Sequence, residues 1–299
     1  MLCRVEELAG GLDRNAKTLR ANCEQGVFVV KLRSEVADGW DIARRLADSG
    51  ITEVVAPVRT KNGHLSAETK SGCLAVFPFV DGKNGFESEF TAETWRKIGD
   101  IVRRIKSVEM PGEKEDVKDF MPHVGSAPIL EQIVAWQRAG TEQEVCSVLR
   151  EHFQTIQSLV LLEMKLTVNR IKFAGKRVPS HTDLHHGNIL VEGKGGVHII
   201  DWDDAKLAPK ECDLMFFLGG GIFRLDSDVE RHFRAGYGDL VIDDEMLQYY
   251  RVCRALEEIK AFAIEASEEG GLSEFDRAES LRYLKGQFEK GYIVDLALG

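Results

Sequence analysis

The feature that most constrains the fold of this chain is a short β-hairpin predicted within a largely helical region. Residues 189–192 and 197–201 are short runs rich in Ile and Val, and the segment between them, residues 193–196, contains three glycines. Helical spacing of apolar residues flanks the hairpin on both sides. Because the loop at residues 181–188 leads directly into the first strand, the hairpin is expected to fix the position of its polar side chains.

The hairpin is predicted to bring Asn188 and Asp201 together. If residues 193–196 form the whole turn of a regular antiparallel hairpin, Asn188 faces Asp201 directly. Opposed residues in such a ladder have Cα atoms roughly 4.5–5.5 Å apart. An amide oxygen and a carboxylate at one point suit Mg²⁺, which prefers oxygen ligands and completes its shell with water and phosphate. Asp183, earlier on the same loop, is then placed to face a substrate hydroxyl beside the metal.

The first 80 residues are predicted to form a small β-rich lobe with one helix. Its predicted strands cover residues 16–22, 27–33, 54–60 and 73–79. Gly26 supplies the turn of the first hairpin. A helical stripe of apolar residues runs from Val36 to Ala47, and Gly50 follows it as a C-terminal cap.

Beyond a hinge at residues 77–85, which contains proline and glycine, the chain is predicted to be mainly helical. Thr91 is the predicted N-cap of a helix whose apolar stripe includes Trp95. Further helices are predicted at residues 129–139, 142–171, 245–266 and 273–296. The sequence thus predicts two domains, residues 1–80 and residues 81–299.

The amino-acid composition limits the classes of partner and the cellular compartment that we expect for the protein. With 39 basic and 49 acidic residues, the net charge of −10 argues against nucleic acid, because phosphate backbones require a basic surface. The six cysteines include no Cys-x-x-Cys pair, so we expect a reducing cytoplasm and no disulfide framework. No apolar run approaches the roughly 18 residues of a membrane span, and Glu6 and Glu7 argue against a signal peptide.

Other parts of a phosphoryl-transfer site are also present in the sequence. Such a site needs metal ligands, a base for the attacking hydroxyl and a cation on the nucleotide phosphates. Lys31 lies on a predicted strand, as a phosphate-pairing lysine should, and Gly11 belongs to a Gly-Gly loop able to cover the phosphates. Four residues separate Asp183 from Asn188, which is the spacing of a kinase catalytic loop.

Three segments together resemble the signature of the aminoglycoside phosphotransferase family. They are His-Thr-Asp-Leu-His-His-Gly-Asn at residues 181–188, and Ile-Asp-Trp-Asp-Asp-Ala at residues 200–205, followed by Pro-Lys-Glu-Cys-Asp-Leu at residues 209–214. Within that family, residues 77–86 and Trp95 are most similar to spectinomycin phosphotransferases.

The resemblance covers nearly the whole chain and implies an α+β, two-lobed protein-kinase-like fold. Residues 1–80 would be the nucleotide-binding lobe, and residues 81–299 would be the helical lobe with the catalytic loop and the acceptor site. It also implies a phosphoryl donor, ATP or GTP, a Mg²⁺ cofactor and a small cationic acceptor.

The resemblance further implies a role for individual residues. Asp183 corresponds to the catalytic base, and Asn188 and Asp201 correspond to the magnesium ligands. Lys31 corresponds to the contact with the α- and β-phosphates, and Phe79 in the hinge offers backbone groups to the adenine.

Several positions depart from the family pattern or leave alternatives open. Thr182 stands where glycine is common in the family. The acid that pairs with Lys31 is not evident, and among the aspartates of the first helix Asp41 is the favoured candidate. Asp203 and Asp204 are interpreted as surface acids or a helix start, with a metal-binding role as the alternative.

His181 and His185, four residues apart, also allow a zinc interpretation. Such a pair needs one helix face, whereas Gly187 and the strand after it predict a loop. The zinc site is therefore the disfavoured alternative, and His181 is interpreted as a structural hydrogen-bonding residue.

Three functions remain as hypotheses from the sequence. The first is a kinase that phosphorylates a hydroxyl of an aminoglycoside or aminocyclitol antibiotic. The second is a kinase of the same fold with a metabolic acceptor such as choline, homoserine, methylthioribose or another sugar. The third is a nucleotide-binding module without catalysis. The catalytic loop binds the phosphoryl group and not the rest of the substrate, so it does not identify the acceptor. The oligomeric state also stays open.

Overall fold

The computed structural model describes residues 2–8, 16–70, 72–110, 131, 134–135, 144–170, 176–267 and 271–299. Contacts divide the chain into two compact units. Unit 1 comprises Met1–Gly112, Val178–Leu207 and His232–Asp239, and unit 2 comprises Glu113–Arg177, Ala208–Arg231 and Leu240–Gly299. The lobe boundary at residue 80 remains a prediction. Within the described ranges, no helix has the length and apolar character needed to cross a membrane.

Within the described residues, the strands form three sheets. In chain order they are β1 (Leu2–Glu7), β2 (Ala16–Cys23), β3 (Gly26–Arg33), β4 (Ala67–Thr69), β5 (Gly72–Pro78), β6 (Gly82–Asn84), β7 (Val178–Ser180), β8 (Ile189–Glu192), β9 (Val197–Ile199) and β10 (Lys206–Ala208). The first sheet is antiparallel with the order β1-β2-β3-β5-β4, the second has the order β6-β8-β9, and β7 pairs with β10.

Among the described helices, the first two lie between strands of unit 1, the helix at Ser227–Tyr237 has residues in both units, and the others belong to unit 2. They are α1 (Gly39–Asp48), α2 (Ala92–Ser107), α3 (Glu144–Glu151), α4 (Phe153–Arg170), α5 (Glu211–Leu214), α6 (Ser227–Tyr237), α7 (Asp244–Ala266), α8 (Glu274–Gly286) and α9 (Ile293–Leu298).

The first hairpin forms from the two predicted strands, with a shorter turn than predicted. Strands β2 and β3 pair without interruption from Ala16 opposite Arg33 to Cys23 opposite Gly26. The turn is Glu24 and Gln25, and Gly26, which was predicted to supply it, is the first ladder residue of β3. Its φ of +135°, a conformation that L side chains rarely adopt, explains the glycine at this position. Lys31 therefore lies in a central strand, hydrogen-bonded on both edges to neighbouring strands.

The predicted strand at residues 54–60 is wrong, although residues 54–57 are buried. Its backbone N–H groups donate to two different strands. The Val55 N–H donates to the Ile199 carbonyl on β9, and the Val58 N–H donates to the Val76 carbonyl on β5. Pro57 lies between them and has no N–H to offer. The segment thus bridges two sheets and forms no continuous ladder.

Helix α1 begins later than the apolar stripe from Val36 predicted. Helix α2 begins directly after its predicted N-cap residue. Val36 lies before α1 and is exposed, whereas the Trp40 side chain is fully buried. Before α2, the Thr91 hydroxyl accepts a hydrogen bond from the Thr94 N–H at 3.1 Å, which confirms the predicted N-cap. Trp95 lies on the buried face of α2, as predicted.

The second hairpin forms, but its register differs from the prediction by one residue. Ile189 lies opposite Ile199, and the Ile200 N–H donates to the Asn188 carbonyl at 3.0 Å. The partner of Asn188 in the ladder is thus Ile200, and the predicted direct opposition of Asn188 and Asp201 is wrong. A one-residue shift exchanges the faces of the strand, so the ladder alone does not place the Asp201 carboxylate.

The turn explains the shifted register. Gly195 has φ +79°, and its N–H donates to the Glu192 carbonyl at 2.8 Å. The Glu192 N–H donates to the Gly196 carbonyl at 2.9 Å, which makes Gly196 a ladder residue. The turn is therefore the three residues 193–195 with a left-handed third residue, a common hairpin geometry, and not the predicted four residues.

In unit 2, two segments predicted as single helices are each divided. The predicted helix at residues 142–171 is α3 and α4 with a break at His152, and the predicted helix at residues 273–296 is α8 and α9. The His152 ring stacks on Phe288, which lies in the second break, with ring centroids 3.9 Å apart. Most of the predicted helix at residues 129–139 lies outside the described residues.

Candidate active site

His181 anchors the start of the polar loop after β7. Its side chain is fully buried, and its Nε2 lies 2.8 Å from the Ile200 carbonyl oxygen. Its Nδ1 accepts a hydrogen bond from the Asp183 N–H at 3.3 Å. The ring packs on Trp202, with centroids 4.7 Å apart. His181 thus ties the loop to the end of the hairpin, and its geometry matches the predicted structural role.

Thr182 adopts a left-handed backbone conformation with φ 73°. A β-branched residue is strained there by roughly 1–2 kcal/mol, which gives a physical reason for the glycine common at this position in the family. The Thr182 hydroxyl donates to the Asp204 carbonyl at 3.1 Å, and this bond helps hold the strained turn. Strain of this kind is concentrated at functional sites.

Asp183 and Asn188 are in direct contact. The Asn188 Nδ2 donates to the Asp183 carbonyl oxygen at 2.8 Å and lies 3.4 Å from its carboxylate Oδ2. With its amide nitrogen turned toward Asp183, Asn188 keeps its Oδ1 as the acceptor atom. The His185 Nε2 lies 3.5 Å from the same Asp183 Oδ2, and the His185 Nδ1 accepts from the Gly187 N–H. The loop therefore holds the Asp183 carboxylate between an amide and an imidazole.

His186 is a packing residue. Its ring contacts the edge of Trp95, with centroids 5.3 Å apart, and lies close to Phe90 and Phe86. Burial, and then the neighbouring His185, lower the pKa of His186 from its ordinary value to about 4. The ring is therefore neutral at physiological pH, as its aromatic surroundings require.

Asp201 is the second non-glycine residue with a positive φ, at 65°. The Asp201 Oδ1 lies 2.5 Å from the Lys31 Nζ, and its side chain is 41% exposed. The left-handed turn directly after the hairpin places this carboxylate against the Lys31 ammonium. The predicted site residues Lys31 and Asp201 are thus brought together across 170 positions of sequence.

Lys31 also contacts Asp203, which the sequence interpretation missed. The Lys31 Nζ lies 3.0 Å from the Asp203 Oδ1. Burial by itself lowers the pKa of Lys31, but the charges of Asp201 and Asp203 outweigh it and raise the pKa above its ordinary value. Lys31 is therefore fully protonated at neutral pH.

The favoured partner of Lys31 from the sequence, Asp41, is wrong. The Asp41 carboxylate pairs with Arg45 one turn along α1, at 2.7 Å, and its side chain is 55% exposed. Asp203 was interpreted as a surface acid or a helix start, but it is buried. Strand alternation gave no signal for this contact, because Asp201 occupies a left-handed turn and residues 201–203 do not form a strand.

Of the other predicted contacts, Phe79 lies in the described chain and Gly11 lies outside it. The Phe79 N–H donates to the Val27 carbonyl at 3.2 Å, and the Arg20 guanidinium lies 4.4 Å from the centroid of the Phe79 ring. The contact of Phe79 with adenine remains a prediction.

The donor atoms of the site suit a hard divalent cation. Asn188 offers its amide Oδ1 and Asp201 a partly exposed carboxylate, which are the ligand types that Mg²⁺ takes. In the described ranges, no cluster of three or more His, Cys, Asp and Glu side chains is arranged to hold a metal. If both residues bind one ion, its remaining positions would be filled by phosphate and water.

The sequence profile of the phosphotransferase enzyme family, APH, matches residues 18–256, most of the chain. No curated protein matches the sequence. The structure is similar to the crystal structure of spectinomycin phosphotransferase, APH(9)-Ia, in complex with ADP and spectinomycin. The two share 28% identity and a TM-score of 0.84, over 100% of this chain and 93% of that one.

Two further solved structures are also similar. The AMP-bound complex of spectinomycin phosphotransferase, APH(9)-Ia, shares 28% identity and a TM-score of 0.76, covering 95% of this chain and 90% of that one. Choline kinase LicA from Streptococcus pneumoniae shares 15% identity and a TM-score of 0.54, covering 95% and 94%. At 15% identity the likeness shows the fold alone. The predicted α+β, protein-kinase-like fold is confirmed.

Proposed function

Because the chain belongs to the phosphotransferase enzyme family, APH, and is a kinase with a hydroxyl acceptor, we propose that it phosphorylates an aminocyclitol or aminoglycoside antibiotic of the spectinomycin type. The observation that carries this proposal is similarity over the whole chain to a spectinomycin phosphotransferase in complex with ADP and spectinomycin. A net charge of −10 also suits a cationic acceptor. The donor is a nucleotide, for which we propose ATP, in the cytoplasm.

In the proposed reaction the acceptor hydroxyl attacks the γ-phosphorus of ATP directly. Asp183 takes the proton of the hydroxyl as the new O–P bond forms. The bond between the γ-phosphorus and the β,γ-bridging oxygen breaks in the same step, and ADP leaves with that oxygen. His185 and Asn188 support this role, because they hold the Asp183 carboxylate in place.

The remaining predicted residues bind the nucleotide in this proposal. Lys31 pairs with the α- and β-phosphates, and Asn188 and Asp201 hold Mg²⁺ through their side-chain oxygens. When bound, Mg²⁺ neutralises charge on the phosphates. Phe79 offers backbone groups to the adenine, and the loop containing Gly11 covers the phosphates.

The acceptor is tested by supplying purified protein with ATP, Mg²⁺ and one acceptor at a time. The panel contains spectinomycin, kanamycin, choline, homoserine and methylthioribose, and the readouts are ADP release and the mass of the phosphorylated product. We expect product with spectinomycin or a related aminocyclitol, and none with the Asp183→Ala control. Expression of the wild type, but not of this control, is then expected to protect a susceptible bacterium from the antibiotic.

The other outcomes each contradict a different part of the proposal. Product with choline, homoserine or methylthioribose alone would replace the antibiotic with a metabolic acceptor and leave the kinase assignment intact. Tight nucleotide binding without product from any acceptor would favour a non-catalytic nucleotide-binding module. A covalent phosphoenzyme trapped during turnover would contradict direct transfer.

A further inference from the structure

Lys31 lies between two carboxylates that differ in their surroundings. Asp201 and Asp203 both contact the Lys31 ammonium, at 2.5 Å and 3.0 Å. The Asp201 side chain is 41% exposed, whereas the Asp203 side chain is 7% exposed. A solvent-exposed carboxylate can exchange Lys31 for another cation at small cost, whereas a buried carboxylate has little water at hand to replace the hydrogen bond that Lys31 donates. Of the two carboxylates, Asp203 is therefore the one that stays paired with Lys31.

Asp203 is held by donors from two other elements. Its Oδ1 accepts from Trp40 Nε1 on α1 at 2.7 Å as well as from Lys31, and its Oδ2 accepts from Arg33 Nη1 on β3 at 2.6 Å. Charge-assisted hydrogen bonds of this kind are shorter and stronger than neutral ones. Both oxygens are thus engaged, which fixes the carboxylate at one position against the strand that carries Lys31.

Helix α1 is packed directly on the segment that carries Asp203. The Gly39 N–H donates to the Asp203 carbonyl at 3.2 Å. A Cβ at Gly39 would lie 2.0 Å from the Trp202 carbonyl oxygen and 2.5 Å from the Ala205 nitrogen, so only glycine permits this approach. Helix α1 therefore contributes an indole N–H and close packing to the Lys31 site, and the carboxylate comes from the segment after the second hairpin.

We propose that Asp203 is the positioning residue that keeps the Lys31 ammonium directed at the nucleotide phosphates while Asp201 is engaged by the metal. This proposal rests on the proposed function, in which Lys31 binds phosphate and Asp201 binds Mg²⁺. An acid on α1 is not required, because the buried Asp203 replaces it. Lys31 exchanges the exposed Asp201 for phosphate when the nucleotide binds and retains Asp203 throughout.

The first test compares Asp203→Asn with Asp41→Asn, the same substitution at an exposed acid of α1. The affinity for Mg·ADP is measured by calorimetry without an acceptor, so a wrong choice of acceptor has no influence. We expect Asp203→Asn to weaken binding by about tenfold or more, the effect of losing one hydrogen bond between charged groups. The KM for ATP should rise similarly, with a smaller change in kcat, and Asp41→Asn should resemble the wild type.

A double-mutant cycle with Lys31→Met separates positioning from a general structural role. If Asp203 acts through Lys31, Asp203→Asn has little further effect on Mg·ADP affinity once Lys31→Met is present. Losses that add in the double variant would overturn the proposal, as would wild-type affinity in Asp203→Asn. If the wild type itself binds no Mg·ADP, the proposed function fails instead.

Should Asp203→Asn fail to fold, Asp203→Glu takes its place. This variant keeps the negative charge but displaces the carboxylate by one methylene from Lys31, Arg33 and Trp40. We expect weaker Mg·ADP binding with a melting temperature near that of the wild type. Unchanged binding in Asp203→Glu would contradict a positioning role.

Discussion

The two aspartates of the proposed chemistry, Asp183 and Asp201, have different neighbours and therefore different expected roles. Asp183 contacts the amide of Asn188 and the imidazole of His185, neither of which binds phosphate in the proposal. Asp201 contacts Lys31 and occupies a left-handed turn beside the hairpin. A base acts on the rate of the chemical step, whereas a metal ligand acts on nucleotide binding as well.

Substitution of the two aspartates should separate these roles. We expect Asp183→Ala to lower kcat by about 10²–10⁴-fold, the usual contribution of a general base, with Mg·ADP affinity close to wild type. Asp201→Asn should weaken Mg·ADP binding as well as lower the rate. The measurements are steady-state kinetics and calorimetry on the same preparations. Near-normal turnover of Asp183→Ala would show that another group is the base.

At the scale of elements, the second hairpin shows how one turn residue sets a register. Gly195 occupies the left-handed third position of the turn, whereas Gly193, two residues earlier, has an ordinary φ. A Cβ at either glycine has room, since the nearest atom to Gly195 is Lys97 Nζ at 3.6 Å and none lies within 4 Å of Gly193. Backbone conformation alone therefore distinguishes the two positions.

Alanine substitutions at these glycines test the three-residue turn. Gly195→Ala should lower the free energy of unfolding by about 1–2 kcal/mol, because an L residue is strained at positive φ. Gly193→Ala, the matched control in the same turn, should change it by less. Urea denaturation of both variants provides the measurement. Equal effects of the two substitutions would contradict a left-handed position specific to Gly195.

At the scale of the whole molecule, the site draws on parts of the chain that are far apart in sequence. Lys31 comes from the first sheet, and Asp183, Asn188, Asp201 and Asp203 come from residues 178–207, after a segment assigned to unit 2. All five belong to unit 1. A ligand bound by them therefore stabilises contacts between sequence-distant segments, which is a global effect on unfolding.

Thermal denaturation should report this effect. Mg·ADP at about 100 times its Kd stabilises the folded state by about 2.7 kcal/mol, so we expect the melting temperature to rise by several degrees. EDTA should remove most of the shift, because Asn188 and Asp201 are proposed to bind the nucleotide through Mg²⁺. Asp201→Asn should reduce the shift, and the exposed-site variant Asp41→Asn should retain it. A shift insensitive to EDTA would argue against a metal at these residues.

The amino-acid sequence by itself determined the features that depend on local pattern. The alternating strand around Lys31, the Thr91 cap and the loop from His181 to Asn188 are encoded by neighbouring residues, so periodicity and spacing predicted them. The family signature, and with it the fold, was evident for the same reason. Local pattern also misled at Pro57, because residues 54–57 are buried and strand-like in composition but form no continuous ladder.

Only the tertiary structure decided which distant residues meet. The choice of Asp203 over Asp41 as the partner of Lys31 depends on a contact between residues 172 positions apart and on the close approach that Gly39 allows. The direction of the Asp201 carboxylate depends on a left-handed turn directly after the second hairpin, whose register differs by one residue from the predicted one. Such pairings are set by packing and by the burial of charge, which act between elements and leave no periodic trace in the sequence.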